Sequence, residues 1–372
     1  MNTSKTKFKI KKNNNIIRLP KVLSKQKSEV IAPNKSAENF FKIDSYKFSS
    51  AEQKIIKKNF SADLDSEIFA SQFSPDDSKC ITTLLDGRIY FMNSKKPASN
   101  YFHTVNEHAP ITALTWKDNR NFLLGDTEGK IYEYKTSREN NSLTLVNEYM
   151  DTENDQVFTL DHNPELNLHI YAGKNMNINL LNAANNKIVR KYEKGDSYQI
   201  GHTNRIFCVK FIEKQVNMFL SAGWDGTMFL WDIRVPKAVN SVFGPSVSGD
   251  AVDVKDNLIL TGSYRDKNPL ELYDIRNFKR ICEVGEENKV KPLSYVSSCK
   301  FNKNKNNDDY IIAGSCITGQ VDIYKKEIVF KRDVTVTDIG CGVYSCGFTN
   351  IENKFYMGTS KGKFTVYHFF NM

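Results

Sequence analysis

Catalysis by side chains needs a nucleophile beside a base, paired carboxylates, or metal ligands at workable spacing, and this 372-residue chain offers little of each. His103 and His108 in "HTVNEHAP" lie five residues apart. That spacing suits a metal only on a helix, which Pro110 and the strand-like surroundings oppose. The sequence holds no G-x-S-x-G, no phosphate-cradling glycine loop, no H-E-x-x-H and no C-x-x-C. Seven cysteines (Cys80, Cys208, Cys282, Cys299, Cys316, Cys341 and Cys346) are odd in number and scattered. They argue against a disulfide framework or zinc module and for a reducing compartment. Cys346, five after Cys341 in "CGVYSC", falls within a predicted strand and reads as a buried core thiol, not half of a redox pair. Catalytic residues, metal and cofactor are all expected to be absent.

The residues that stand out instead are in "SAGWDGTMFLWDIR", Ser221 to Arg234, where two Trp-Asp steps flank a turn. Asp225 and Gly226 supply that turn, because glycine takes positive φ cheaply and Asp bonds to the backbone ahead of it. The flanking runs suit strands, and the whole reads as a hairpin.

The hairpin recurs. A turn glycine is followed five residues later by a closing residue at Gly87 and Met92, Gly129 and Tyr134, Gly226 and Trp231, Gly319 and Tyr324, and Gly362 and Tyr367. "YAGKNMNINLLN", with Asn175 and Leu181, and "LTGSYRDKNPLELYDIR", ending on Tyr273, keep the frame without the glycine. The closing residues 92, 134, 181, 231, 273, 324 and 367 are 42 to 51 apart, close to the length of a four-stranded blade. Upstream of each hairpin an apolar strand alternates with period two, as in "IFASQFSPD" and "IFCVKFIEK". That period predicts Phe69, Ser71 and Phe73 on one face, and Ile206, Cys208 and Lys210 opposite Phe207, Val209 and Phe211. A more polar fourth strand follows, as in "KAVNSVF". Alternating strands with short turns predict an antiparallel all-β chain of radially repeated sheets.

With these residues in view, the chain resembles the WD-repeat β-propeller family from about residue 60 to 370, most strongly in the fourth copy, Gly201 to Phe243. The resemblance implies a seven-bladed propeller at 40–372, with "KIIKKNF" (54–60) as the outer strand that closes the ring. It also implies a structural network of His202, Ser221, Asp225 and Trp231, in which an imidazole and a hydroxyl satisfy a buried carboxylate. His108 and Glu128 offer a weaker version in the second copy. The other copies are expected to hold by packing alone.

Recognition is then expected in rim loops, which vary without disturbing the sheets. On the family pattern Trp224 and Arg205, with Lys174, Tyr264 and Arg265 in neighbouring copies, point to the narrow face as partner-binding residues, for a peptide or for RNA bases. Asp225, Trp231, Asp232 and Arg234 also match the "WDxR" box that resembles a docking signal for the adaptor of cullin-type ubiquitin ligases. Tyr273, Asp274 and Arg276 repeat its ending without the spaced acid.

Residues 1–60 carry 15 Lys and Arg against four Asp and Glu, leaving 37 against 39 for the remainder. Basicity is thus a property of the start of the chain. Residues 1–39 hold too little apolar surface to fold, and are expected to be a disordered tail, either solvated or contacting an acidic partner, RNA or an anionic membrane face. No apolar run approaches a membrane span or a secretory signal. The expectation is an intracellular, cytoplasmic or nuclear propeller, monomeric within a eukaryotic-type assembly, with mitochondrial import as an alternative. Its function reads as a non-catalytic protein-interaction scaffold, the alternatives being a ligase substrate receptor or an RNA-associated subunit.

Overall fold

The computed structural model describes residues 56–137, 142–150, 155–193, 201–285, 292–304, 309–326, 330–337 and 339–369. The chain divides into Met1–Ser45 and Tyr46–Met372. The first unit, with the tail expected at 1–39, lies outside the described residues.

Among the described residues, 28 strands form seven four-stranded sheets. The first strand, β1 (Ile56–Asp63), belongs to the last sheet. Blade one is β2 (Ile68–Phe73), β3 (Lys79–Leu84), β4 (Arg88–Asn93) and β5 (Tyr101–Thr104); blade two is β6 (Ile111–Trp116), β7 (Asn121–Asp126), β8 (Lys130–Thr136) and β9 (Leu143–Met150). Blade three is β10 (Val157–Asn163), β11 (Leu168–Gly173), β12 (Ile178–Asn182) and β13 (Ile188–Tyr192); blade four is β14 (Ile206–Phe211), β15 (Met218–Gly223), β16 (Thr227–Asp232) and β17 (Ala238–Phe243). Blade five is β18 (Val252–Lys255), β19 (Leu258–Gly262), β20 (Leu270–Asp274) and β21 (Lys279–Glu283). Blade six is β22 (Val296–Phe301), β23 (Tyr310–Ser315), β24 (Val321–Lys326) and β25 (Phe330–Val336), and blade seven adds β26 (Val343–Phe348), β27 (Lys354–Thr359) and β28 (Lys363–Phe369). Every pairing is antiparallel, and β1 lies against β28 as the outer strand of blade seven. The inner strands β2, β6, β10, β14, β18, β22 and β26 pack in that order, and β26 packs back on β2. The protein is an all-β, seven-bladed propeller.

Strict alternation fails at one place in all but one of the inner strands, the exception being β18. Six of the seven skip a residue in their ladder: Phe69, Thr112, Phe158, Phe207, Ser297 and Tyr344 have no partner in the register. Such a bulge pushes one side chain out and turns the strand over by one position. The expected face of Ile206, Cys208 and Lys210 is corrected accordingly: Ile206 packs with Val209 and Phe211, while Cys208 packs into the neighbouring core. Ile68 joins Phe73 for the same reason, and Phe69 is the residue expelled. A second register shift falls at the closing residue of six blades, Tyr134, Leu181, Trp231, Tyr273, Tyr324 and Tyr367.

Apolar packing joins the blades. Ile170 and Leu180 of blade three share a core with Val209, Phe219 and Trp231 of blade four, each such side chain contributing about 1.5–3 kcal/mol on burial. Polar stitches add direction. Along the inner strands a side-chain oxygen of one blade accepts a backbone N–H of the next: Thr159 from Val209 (3.0 Å), Asp161 from Phe211 (2.7 Å), Asp253 from Phe301 (2.9 Å) and Ser298 from Cys346 (3.2 Å). Ser345 accepts from Ser71 (2.9 Å), which carries the series from blade seven to blade one. At the same junction the buried Asp77 carboxylate accepts the N–H groups of Asn350 (2.8 Å), Ile351 (2.6 Å) and Glu352 (3.1 Å). The ring surrounds a central cavity of about 370 Å³.

Two substitutions test this account. Asp77→Ala removes the buried acceptor of three N–H groups on the adjoining loop and is expected to cost about 1–3 kcal/mol by urea unfolding. Asp65→Ala, at an exposed position with the same φ of 54°, controls for backbone strain and should cost less. The turn glycines take left-handed backbone, Gly226 at φ 70°, and in blade three Met176 holds the corresponding place at φ 66°. Met176→Gly relieves that strain and is expected to stabilise the protein by about 1 kcal/mol.

Candidate functional site

The antiparallel course of each blade brings the turns between second and third strands to the same face as the links between blades, here called the upper face. Blade four shows what that arrangement builds. His202 Nδ1 lies 2.7 Å from Asp225 Oδ2, and His202 Nε2 lies 2.6 Å from Ser221 Oγ. A carboxylate only accepts, so Nδ1 carries the proton and Nε2 accepts the serine hydroxyl. Ser221 Oγ then accepts the Trp231 indole N–H at 2.7 Å.

Asp, His and Ser in this order form the relay of a hydrolase triad. Here it is sealed: His202 and Ser221 are each 1% exposed, and the indole occupies the serine oxygen. Ser221 is closed off from solvent, and the hydrogen bonds among the four side chains clamp the turn. Burial pushes the Asp225 carboxyl up, but His202 and the N–H groups of Thr203 and Thr227 outweigh it and hold it below its ordinary value.

Three other blades build their own clamps, which corrects the expectation of packing alone for blades five and six and of His108 with Glu128 for blade two. In blade two the fully buried acid is Asp126, not Glu128. It accepts Asn106 Nδ2 (2.8 Å), Tyr132 Oη (2.9 Å) and the N–H groups of Glu128 and Lys130 (both 2.9 Å). Asn106 thus does what was expected of His108. In blades five and six the acid stands two residues before the closing tyrosine. Glu271 receives Tyr273 Oη (3.2 Å) and Arg280 (2.8 Å); Asp322 receives Gln320 (2.9 Å), Tyr324 Oη (3.3 Å) and Arg332 (3.3 Å). Burial raises the Asp322 carboxyl, with Gln320 and Arg332 opposing. An acid at that place, followed by tyrosine two residues on, was the available signal in the sequence.

The upper face of blades three and four carries an aromatic series. The bulge residues Phe158 and Phe207 stack with centroids 5.0 Å apart and planes 2° apart. Phe207 meets Trp224 at 5.1 Å, and the Arg205 guanidinium lies 5.5 Å from the Trp224 ring. Trp224 remains 41% exposed and Phe243, beside the same turn, 82%. Phe158, Phe207 and Phe243 were not singled out in the sequence, because only the bulges and the strand pairing bring them to this face. Tyr264 packs on Tyr295 at 5.1 Å in blade five, and Lys174 is exposed in blade three. Arg265 turns inward, bonding Glu271 (3.2 Å) and the Asn268 carbonyl (2.9 Å).

The "WDxR" residues separate. Asp225 and Trp231 belong to the clamp, while Arg234 forks onto Asp232 with 2.5 and 2.9 Å contacts. Arg276 does the same to Asp274 in blade five (2.6 and 2.9 Å), so the fork accompanies this turn whether or not the spaced acid is present. In the central cavity Asp250 lies 2.6 Å from Lys300 and 3.7 Å from Lys210. Half of its side-chain surface is open to the cavity. Burial raises its carboxyl, and the two lysines overcome that and hold it well below the ordinary range.

All seven cysteines are free, and burial pushes Cys208 and Cys346 up to about 12. His103 packs edge-on against Tyr134 at 5.2 Å. Among the described residues no cluster of His, Cys, Asp and Glu is placed to hold a metal ion, and no helix is long and apolar enough to cross a membrane.

Fold and clamp together define a repeat propeller with a rigid rim. Residues 195–232 match the family model described as "WD domain, G-beta repeat". A curated relative, "Methylosome protein WDR77" of Xenopus laevis, is 25% identical over 139 residues, 37% of this chain and 39% of that protein. The match thus spans well under half of either. A chain in the "Crystal Structure of Mitotic Checkpoint Complex" superposes with a TM-score of 0.71 at 14% identity, covering 92% of this chain and 99% of that one. The repeat match, the relative and the seven four-stranded sheets support a WD-repeat β-propeller.

The clamp makes stability acid-sensitive. Because the folded Asp225 carboxyl titrates below its ordinary value of 3.8, its contribution is present above about pH 4 and is lost as pH falls through the folded value. Asp225→Asn is expected to cost about 1–3 kcal/mol at pH 7 and to show a shallower loss of stability than the native protein below pH 4, measured by urea unfolding across pH.

Proposed function

We propose that this protein is a non-catalytic interaction scaffold that holds another protein on the upper face of blades three and four. The observation that carries the reading is Trp224: an indole 41% exposed at a rigid turn, backed by Phe207 and flanked by Arg205. Tryptophan and arginine are enriched among residues that dominate interface energies, and an exposed ring costs solvation with no return unless something covers it. Lys174 and Tyr264 extend the same surface, whereas Arg265 serves Glu271 beneath it. The relative and the similar structure bear titles that place them in assemblies, a methylosome and a mitotic checkpoint complex, which accords with a role as one subunit among several.

Affinity purification with quantitative mass spectrometry from native cells tests the reading. Trp224→Ala is expected to lower recovery of the bound proteins by about fivefold or more, equivalent to about 1 kcal/mol, with the thermal midpoint unchanged. Unchanged recovery removes the reading, and a variant that melts early makes the indole a core residue.

A further inference from the structure

The upper face is uneven in charge, and the unevenness specifies the partner. In blades one and two the upper-face cations are neutralised by neighbours: Arg88 meets Asp86 at 2.6 Å and Lys130 meets Glu128 at 3.6 Å. Among the described residues, Lys174 of blade three and Arg205 of blade four form no such ion pair. Two described acids that meet these turns are committed elsewhere. Asp225 is 3% exposed and serves His202 and Thr203, and Asp155, also buried, accepts the N–H of Asn175. Among the described residues, two positive charges without an ion-pair partner therefore stand on blades three and four, and blade four carries the exposed rings of Trp224 and Phe243. Trp224 lies on one side of the Asp225–Gly226 turn. Phe243 covers the other, so close that a Cβ added to Gly226 would sit 3.2 Å from its ring.

Resting on the reading above, we infer that the occupant is an acidic peptide segment of a partner protein, with carboxylates directed to Lys174 and Arg205 and a bulky apolar side chain set against Trp224 and Phe243. Charge-assisted bonds to a guanidinium position such a segment. The apolar anchor supplies most of the affinity, and the charges supply rate and selectivity.

Nucleic acid fits less well. The rings that would stack bases already stack on one another, Phe158 on Phe207, with Arg205 close to the indole of Trp224. From residue 61 onward acids outnumber bases, 39 to 37, whereas phosphate recognition draws on a basic surface.

The test uses the full chain and three fluorescein-labelled probes at low salt: a decapeptide of Asp and Glu around a central Phe-Leu pair, the same peptide with Lys for each acid, and a 20-mer of thymidylate. The acidic peptide is expected to bind at least tenfold more tightly than the lysine peptide. Lys174→Glu with Arg205→Glu should weaken the acidic peptide at least tenfold, and the exposed single change Lys174→Glu should weaken it severalfold with the thermal midpoint unchanged. Residues 1–39 are identical in all these proteins, so any attraction they exert cancels between variants bound by the same probe, and that comparison decides the inference. Acidic-peptide affinity unaltered by both charge reversals overturns the inference, as does thymidylate binding that exceeds the peptide's and falls with the same reversals. The two readings fail separately: if Trp224→Ala abolishes native capture while charge reversal changes nothing, the docking face stands and its acidic occupant does not.

Discussion

Among the described residues no backbone ladder runs from one blade to the next, so the ring depends on what inner strands can offer each other sideways. The offer is a short acceptor, Ser, Thr or Asp, reaching a backbone N–H of the following blade, above interblade cores of aromatic and branched residues. The cores supply most of the free energy and the acceptors fix the register at which they meet. Blade seven must satisfy both blade six and blade one. There Ser345 and Asp77 bond across the junction, and β1 pairs with β28 along the outer edge of the same sheet. A barrel abolishes its edges by closing one sheet; a propeller closes through side chains and leaves outer edges behind.

That constraint explains why the clamps of four blades are built in three different ways. A blade wedged between neighbours cannot relax, so each turn at the upper face must be held by whatever polar groups it has. His202 and Trp231 hold Ser221 and Asp225 in blade four, Asn106 and Tyr132 hold Asp126 in blade two, and tyrosine with arginine holds Glu271 and Asp322 in blades five and six. The chemistry differs while the task is common: a buried carboxylate surrounded by donors, paying for its burial by locking a turn. Because the sheets are rigid, residues on the turns are displayed at fixed positions. The stacked series from Phe158 to Arg205 needs no ordering before it meets a partner.

Much of the architecture was legible along the chain. The five-residue step from turn glycine to closing residue, and the two-residue alternation before it, are local signals, and both survive weak matches to any repeat consensus. The inner-strand bulges were not legible. Phe207 looks like any other member of an alternating strand, and it leaves the ladder because the blade twists about its entry point. The substitute clamps were equally hidden, since Asn106 lies two residues before the histidine that the repeat pattern points to. Arg265 looked available and is not, because Glu271 is six residues away in sequence but 3.2 Å away in space.

The sequence by itself determined the class of the protein, the strand periodicity, the blade at which the full His, Ser, Asp and Trp clamp could form, and the poverty of catalytic groups. Tertiary structure alone decided which side chains stand together on the upper face, which cations there form no ion pair among the described residues, and where buried acids find donors. The division has a physical cause. Turns and alternation arise from backbone preferences over a few residues, whereas charge compensation and ring stacking depend on distances between strands brought together only when the ring closes.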